Sequence, residues 1–212
     1  MPIIIVPTSH VAGESLRAVE KSIRQHAPDC VAIELDNHRY AALKAPGGRR
    51  PGLQTGLFYF ALQHLQQMLA KKTGILPGSE MLKAVDIAQS LNIQTAFIDQ
   101  DIFLTINGIR GMPLTEKLKL AAYAIFGSLL FDSAGFDLNR VPDQVAVRKM
   151  VLEIRKRFPY LYRALIADRD KVMAANLLHL SQHFHTVVAV VGAGHVHGIT
   201  RLLVGRAKLT VQ

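Results

Sequence analysis

A single cysteine, Cys30, stands in 212 residues. That excludes an internal disulfide framework and suits a reducing compartment. Cys30 opens an apolar run, where a thiol is buried and inert rather than nucleophilic. No apolar run reaches the roughly 20 residues that a bilayer-spanning helix needs. The nearest, Leu118–Phe131 (LKLAAYAIFGSLLF), is short and holds Lys119, which suits a buried helix or the face of a homodimer. Long basic tracts, zinc-finger spacings and RNP-like aromatic motifs are also missing. Lysine and arginine outnumber the acids by 25 to 16, giving a net charge of +9. The short clusters Arg49-Arg50, Lys71-Lys72 and Arg155-Lys156-Arg157 read as solvated surface, so no nucleic-acid partner is expected. Internal repeats and low-complexity tracts are absent. No basic leader precedes the first apolar run, so a cytoplasmic location is expected.

Half of the chain is hydrophobic, enough for a sizeable core. Four short apolar runs read as buried strands: Ile3–Val6, Cys30–Ile33, Thr95–Ile98 and Val187–Val191. The spacing of Leu16, Val19 and Ile23 predicts a helix over 13–26 between the first two. This β-α-β unit implies parallel pairing of its strands. A short helix is expected over 37–44. The Gly/Pro-rich stretch 45–52 is either a flap over the sheet or a plain surface loop. Helices are expected over 54–72 and, with Ser79 as N-cap, to about Leu91. From 101 to 185 the pattern is helical, with breaks near 108–113, 132–142 and Pro159. A glycine-rich turn, a helix over 196–205 and an edge strand over 208–211 complete the chain. The expected fold is α/β: one domain over 1–212, with a small parallel or mixed sheet and a large helical insertion over roughly 101–185.

Two of the apolar runs lead into histidines, His10 and His195, and two lead into carboxylates, Glu34 and Asp99. In a parallel sheet all four emerge at the carboxyl edge, where open α/β folds place their sites. Imidazole and carboxylate together suit a divalent metal such as Mn, Co or Zn. Glu34 serves there as ligand or general base, or else as a helix cap. Asp99 and Asp101 form a second acidic pair or a cap. Glu80 is a substrate-side acid or a first-turn charge favoured by the helix dipole. Arg39 and Arg169 bind a substrate carboxylate or make structural ion pairs. The other histidines, among them His38, His179, His183, His185 and His197, read as surface or capping residues. Gly192-Ala193-Gly194-His195-Val196-His197-Gly198 places its last glycine one residue too late for a dinucleotide fingerprint. Its small residues instead let the backbone turn sharply and aim His195 into a cleft.

Several separated motifs resemble the TraB/PrgY family, which is related to TIKI and GumN-type proteins. They are Pro7-Thr8-Ser9-His10-Val11, Pro28-Asp29 through Glu34-Leu35-Asp36 to Arg39-Tyr40, and Gly78-Ser79-Glu80-Met81. Phe97-Ile98-Asp99-Gln100-Asp101-Ile102, Asp168-Arg169-Asp170 with Met173-Ala174, and Val191-Gly192-Ala193-Gly194-His195-Val196 with Gly198-Ile199 complete the set. The chain departs from the family pattern at Pro7, which replaces the first glycine of a GxxH signature, and at Gln100 and Asp168. The resemblance implies a metal-dependent hydrolase fold. TIKI-type relatives are regarded as divalent-metal proteases that use paired GxxH motifs and a glutamate, and TraB-type members are linked to pheromone shutdown. It implies His10, His195 and Glu34 as metal ligands and catalytic residues. Arg39, Tyr40, Glu80, Asp99, Asp101 and Arg169 would then surround a peptide or small anionic substrate. A non-catalytic protein that sequesters a peptide or small ligand is the alternative.

Overall fold

Alternation along the apolar runs decides the two faces of the sheet. The computed structural model describes residues 2–8, 13–44, 79–131 and 144–212. Strand β1 (Pro2–Thr8) leads into α1 (Gly13–His26), β2 (Cys30–Ile33) and α2 (Asn37–Lys44). Next come α3 (Ser79–Ser90) and β3 (Gln94–Phe97). The helical stretch comprises α4 (Ile102–Arg110), α5 (Leu114–Phe131), α6 (Gln144–Arg157), α7 (Pro159–Tyr162) and α8 (Asp168–His183). Strand β4 (Val187–Gly192), α9 (Ala193–Leu203) and β5 (Lys208–Val211) follow. His10, the stretch 45–52, the helix expected over 54–72 and the break at 132–142 lie outside the described residues.

All five strands run parallel, in the order β3-β2-β4-β1-β5. Ile3, Ile5, Ala32, Val187, Ala189 and Val191 face α8 and α9, where Met173, Leu177, Ile199 and Leu203 cover them. Ile4, Val6, Val31, Ile33, Val188 and Val190 face α1 and α3, against Val19, Ile23, Val85 and Ala88. Burying a Val or Ile contributes about 1.5–3 kcal/mol. These two layers therefore hold short strands that could not persist alone.

The expected pairing of β1 with β2 is corrected by the strand order. The two are parallel but not adjacent, because β4 lies between them. Its run Val187–Val191 is buried on both faces, and a strand apolar on both faces belongs at the centre of a covered sheet. Strand β5, with exposed Lys208 and Thr210, takes an edge.

This order positions the site. From the carboxyl end of β2 the chain leaves toward the face covered by α3, and from that of β1 toward α1, on the same side. From the carboxyl end of β4 it leaves into α9, on the opposite face. Neighbouring strands whose connections diverge leave a crevice between them, the topological switch point where open α/β sheets bind ligands.

The helical stretch ends by delivering α8 to that crevice. Pro159 starts α7 at its first position, and the buried Glu116 of α5 accepts the backbone N–H of Leu161 at 2.9 Å. Residues Arg163–Ala167 form a π-helical turn between α7 and α8. Such wide turns insert a residue into a helix and recur at functional sites. Asp168, Arg169 and Asp170 follow at once.

Candidate functional site

Glu34 and His195 meet across the β2–β4 crevice. Glu34 lies one residue beyond β2, is 6% exposed, and its Oε2 accepts the backbone N–H of Gly192 at 2.6 Å. A Cβ at position 192 would sit 3.2 Å from that oxygen, so glycine lets the two strand ends approach closely. The other oxygen, Oε1, pairs with Arg169 Nη2 and lies 3.4 Å from His195 Nε2. Arg169 also grips Asp99, with Nε at 3.0 Å from Oδ1 and Nη2 at 2.7 Å from Oδ2. Its Nη1 donates to the carbonyl of Leu165 in the π turn at 3.2 Å. Arg39 Nη1 reaches the same Asp99 Oδ2 at 2.8 Å, while its side chain stays 31% exposed. Behind His195, Asp170 Oδ1 lies 2.6 Å from the ring Nδ1. The result is one connected network, Arg39–Asp99–Arg169–Glu34–His195–Asp170.

Opposing forces set the charges. Burial acts to raise the pKa of Glu34, but the His195 ring, Arg169, the Gly192 N–H and Arg39 together pull it from 4.5 to about 2. Burial disfavours the Arg169 cation, yet Glu34 and Asp99 more than compensate and raise its pKa further. Asp170 is pushed upward by burial, against the lowering effect of its hydrogen bond to His195 and of Arg169. Among the described residues, three carboxylates (Glu34, Asp99, Asp170) face two guanidinium groups (Arg39, Arg169) and the His195 ring. Two residues beyond Glu34, Asp36 caps α2 through Oδ1, accepting from the N–H groups of His38 (2.9 Å) and Arg39 (3.1 Å). Its Oδ2 is buried without a hydrogen-bond partner among the described residues. A buried, unpaired acceptor invites a water, a cation or a donor on a ligand.

Most of the expected residues converge: Glu34, His195, Asp99, Arg39 and Arg169 are linked directly. Others have separate places. Asp101 is the N-cap of α4, accepting from Phe103 N at 2.8 Å, and pairs with His38 at 3.4 Å. Tyr40 packs its ring against Phe97 at 4.7 Å. Glu80 is buried in the first turn of α3. The helix-cap reading placed on Glu34 belongs to Asp36. Cys30 is buried, and burial, reinforced by the charge of Asp29, pushes its thiol up to about 11, as expected of an inert cysteine.

The glycine-rich turn also needs correcting. Helix α9 starts at Ala193 rather than near 196, so His195 stands in the first helical turn, not in a loop before it. Gly192 is extended (φ −61°, ψ 140°), and neither it nor Gly194 has a positive φ. The absence of a side chain at 192 matters for space, not for backbone conformation. The residue that sequence reasoning passed over is Asp170. Its signal was the pair of acids around Arg169, together with a glycine three residues after His195.

Among the described residues, no three imidazole, thiol or carboxylate groups form a metal-binding cluster. The two donors that face each other, His195 Nε2 and Glu34 Oε1, do fit one ion. Their 3.4 Å separation is close to the roughly 3.3 Å between two donors that each lie about 2.0–2.1 Å from a tetrahedral centre. The third expected donor, His10, lies outside the described residues. No helix among the described residues is long and apolar enough to cross a membrane.

The chain is 34% identical, over 95% of its length, to an uncharacterised protein of Methanocaldococcus jannaschii, of which it spans 53%. It is 26% identical to the TraB domain-containing protein of Mus musculus and 25% to that of Homo sapiens, covering 62% of each from 94% of this chain. It thus spans only about half to three-fifths of the curated relatives it matches. The pattern of the TraB/PrgY/gumN family matches residues 2–205, and the chain belongs to that family.

Proposed function

We propose that the β2–β4 crevice is the active site of a divalent-metal-dependent hydrolase, acting in the cytoplasm on a peptide or related acyl bond. The observation that carries this reading is the buried Glu34–His195 pair, facing across a topological switch point. Glu34 and His195 would hold the ion, with His10 as third donor and Mn, Co or Zn as its identity. The chemistry such an ion supplies when bound is activation of water for attack on an acyl carbon. Glu34, its pKa drawn down to about 2, stays ionised across the working range, which suits it to hold a cation. Arg169 fixes Glu34 and Asp99. Arg39, partly exposed and using one nitrogen on Asp99, offers its remaining N–H groups to an anionic substrate. Tyr40 flanks it. Two copies would associate through the exposed Leu114 and Leu118 of α5.

One observation favours the alternative, a peptide- or small-ligand-sequestering protein. Arg169 engages the same Glu34 oxygen that would hold the ion. Metal content separates the two readings. Protein dialysed against Mn, Co and Zn in turn, then analysed by plasma mass spectrometry, should retain about one ion per chain with one of them. His195→Ala and Glu34→Gln should lose it while remaining folded by circular dichroism. Retention of full metal in both variants, or none in the wild type, overturns the hydrolase reading.

A further inference from the structure

Asp170 has no role in the reaction as proposed, yet three features converge on it. It is 3% exposed, and it makes a 2.6 Å contact with His195 Nδ1, which is itself buried. It stands three residues after the π turn, in the first turn of α8. Above all, a space has been left for it. A Cβ on Gly198 would come within 1.8 Å of Asp170 Oδ2 and 2.6 Å of its Cγ, far inside any real contact. Gly198 has no positive φ to account for the glycine. It lies three residues after His195, on the same face of α9, one turn along. The late glycine of the 192–198 motif is therefore there to admit the Asp170 carboxylate beneath the ring.

We infer that Asp170 is the positioning residue of His195: it holds the imidazole as the Nδ1–H tautomer and aims an unprotonated Nε2 at Glu34, and Gly198 is glycine to make room for it. The two ring contacts decide where the proton sits. Nδ1 is 2.6 Å from Asp170 and Nε2 is 3.4 Å from Glu34, so only the Asp170 side has hydrogen-bond length. A neutral imidazole carries one N–H, and the partner of that N–H fixes the state of the other nitrogen. An unprotonated Nε2 is what either a metal ion or a substrate proton requires. Ser, Ala or any larger residue at 198 would displace the carboxylate and free the ring to flip or change tautomer.

The inference rests on the hydrolase reading only for its effect on metal affinity, so the first readout is taken without metal. Chelator-treated protein labelled with ¹⁵N-histidine is recorded by long-range ¹H–¹⁵N correlation at a pH well above the ordinary histidine range. His195 is assigned by its disappearance in His195→Gln. The wild type should show a single Nδ1–H tautomer. Gly198→Ala and Asp170→Asn should show mixed tautomers, with circular dichroism unchanged. Where metal binds, both should also weaken it by about 10- to 100-fold. An Nε2–H tautomer in the wild type overturns the inference without any variant having to fold. So does an unperturbed Nδ1–H tautomer in folded Gly198→Ala and Asp170→Asn. A correct tautomer pattern in a protein that binds no metal would leave the inference standing and remove the hydrolase reading instead.

Discussion

Two histidine–carboxylate pairs stand at the carboxyl edge of the sheet, made of the same groups and set in opposite surroundings. His195 and Asp170 are 2.6 Å apart, with side chains 6% and 4% exposed. His38 and Asp101 are 3.4 Å apart, with side chains 55% and 45% exposed. Water screens the second pair, so its attraction is small and competes with the side-chain entropy of holding it. The first pair has lost its water and depends wholly on its neighbours. Removing one member there leaves the other stranded. The same contrast separates two arginines of one helical stretch. Arg169 is held by Glu34, Asp99 and a backbone carbonyl, whereas Arg163 meets Asp168 at 3.2 Å in the open. Chemical identity predicts little here, and burial decides what each pair contributes.

The largest expected effect breaks the buried side of this contrast. Arg169→Ala removes the guanidinium that Glu34 and Asp99 share, leaving Asp99 to Arg39 alone and Glu34 without its ion pair to arginine, and should lower stability by about 3–5 kcal/mol. Arg163→Ala should change it by less than about 0.5 kcal/mol. Urea unfolding of both variants checks the ratio, and comparable losses would mean that the network is not the stabilising unit.

A somewhat smaller effect appears with acid in metal-free protein. Glu34 has its pKa lowered on folding, so its contribution is complete above its unfolded value of 4.5 and is lost as pH falls from there toward about 2. That shift corresponds to an order of 3 kcal/mol. Asp170, raised by burial, acts in the opposite sense, since its folded form binds a proton more readily than its unfolded form. Glu34→Gln should therefore flatten the acid limb measured by urea unfolding at several pH values. An unchanged limb would assign the acid sensitivity to other carboxylates. The smallest effect sharpens the comparison. His38→Ala should alter stability by at most about 0.5 kcal/mol by the same measurement.

Much of this molecule was legible in its sequence, for physical reasons. Continuous apolar runs ended by charged residues gave four of the strands and placed Glu34, Asp99 and His195 at one edge. Helix punctuation such as Pro159 and the cap Asp101 acted where it stands. Strand order was not legible, because nothing within β1, α1 and β2 records that a strand about 150 residues later will part them. The start of α9 differs from the sequence pattern for a local reason: glycines at 192 and 194 suggest a loop, although the backbone there is ordinary. Asp170 escaped because an acid in the first turn of a helix has an adequate explanation in the helix dipole. Only the contact with His195, and the room left by Gly198, gives it another.

The placement of β4 has a consequence for how the chain is made. Its partners β1 and β2 are synthesised first, yet β2 must wait with one edge unpaired and β1 with both, until residues 187–192 and then 208–211 have emerged. Until then the nascent chain exposes three strand edges that await a partner, a state prone to wrong pairing. When β4 arrives, a single insertion joins β1 to β2, and the α9 that follows it covers one buried layer and brings His195 to Glu34. Joining of the sheet's two halves and assembly of the site thus fall together, and a chain cut short before β4 has neither.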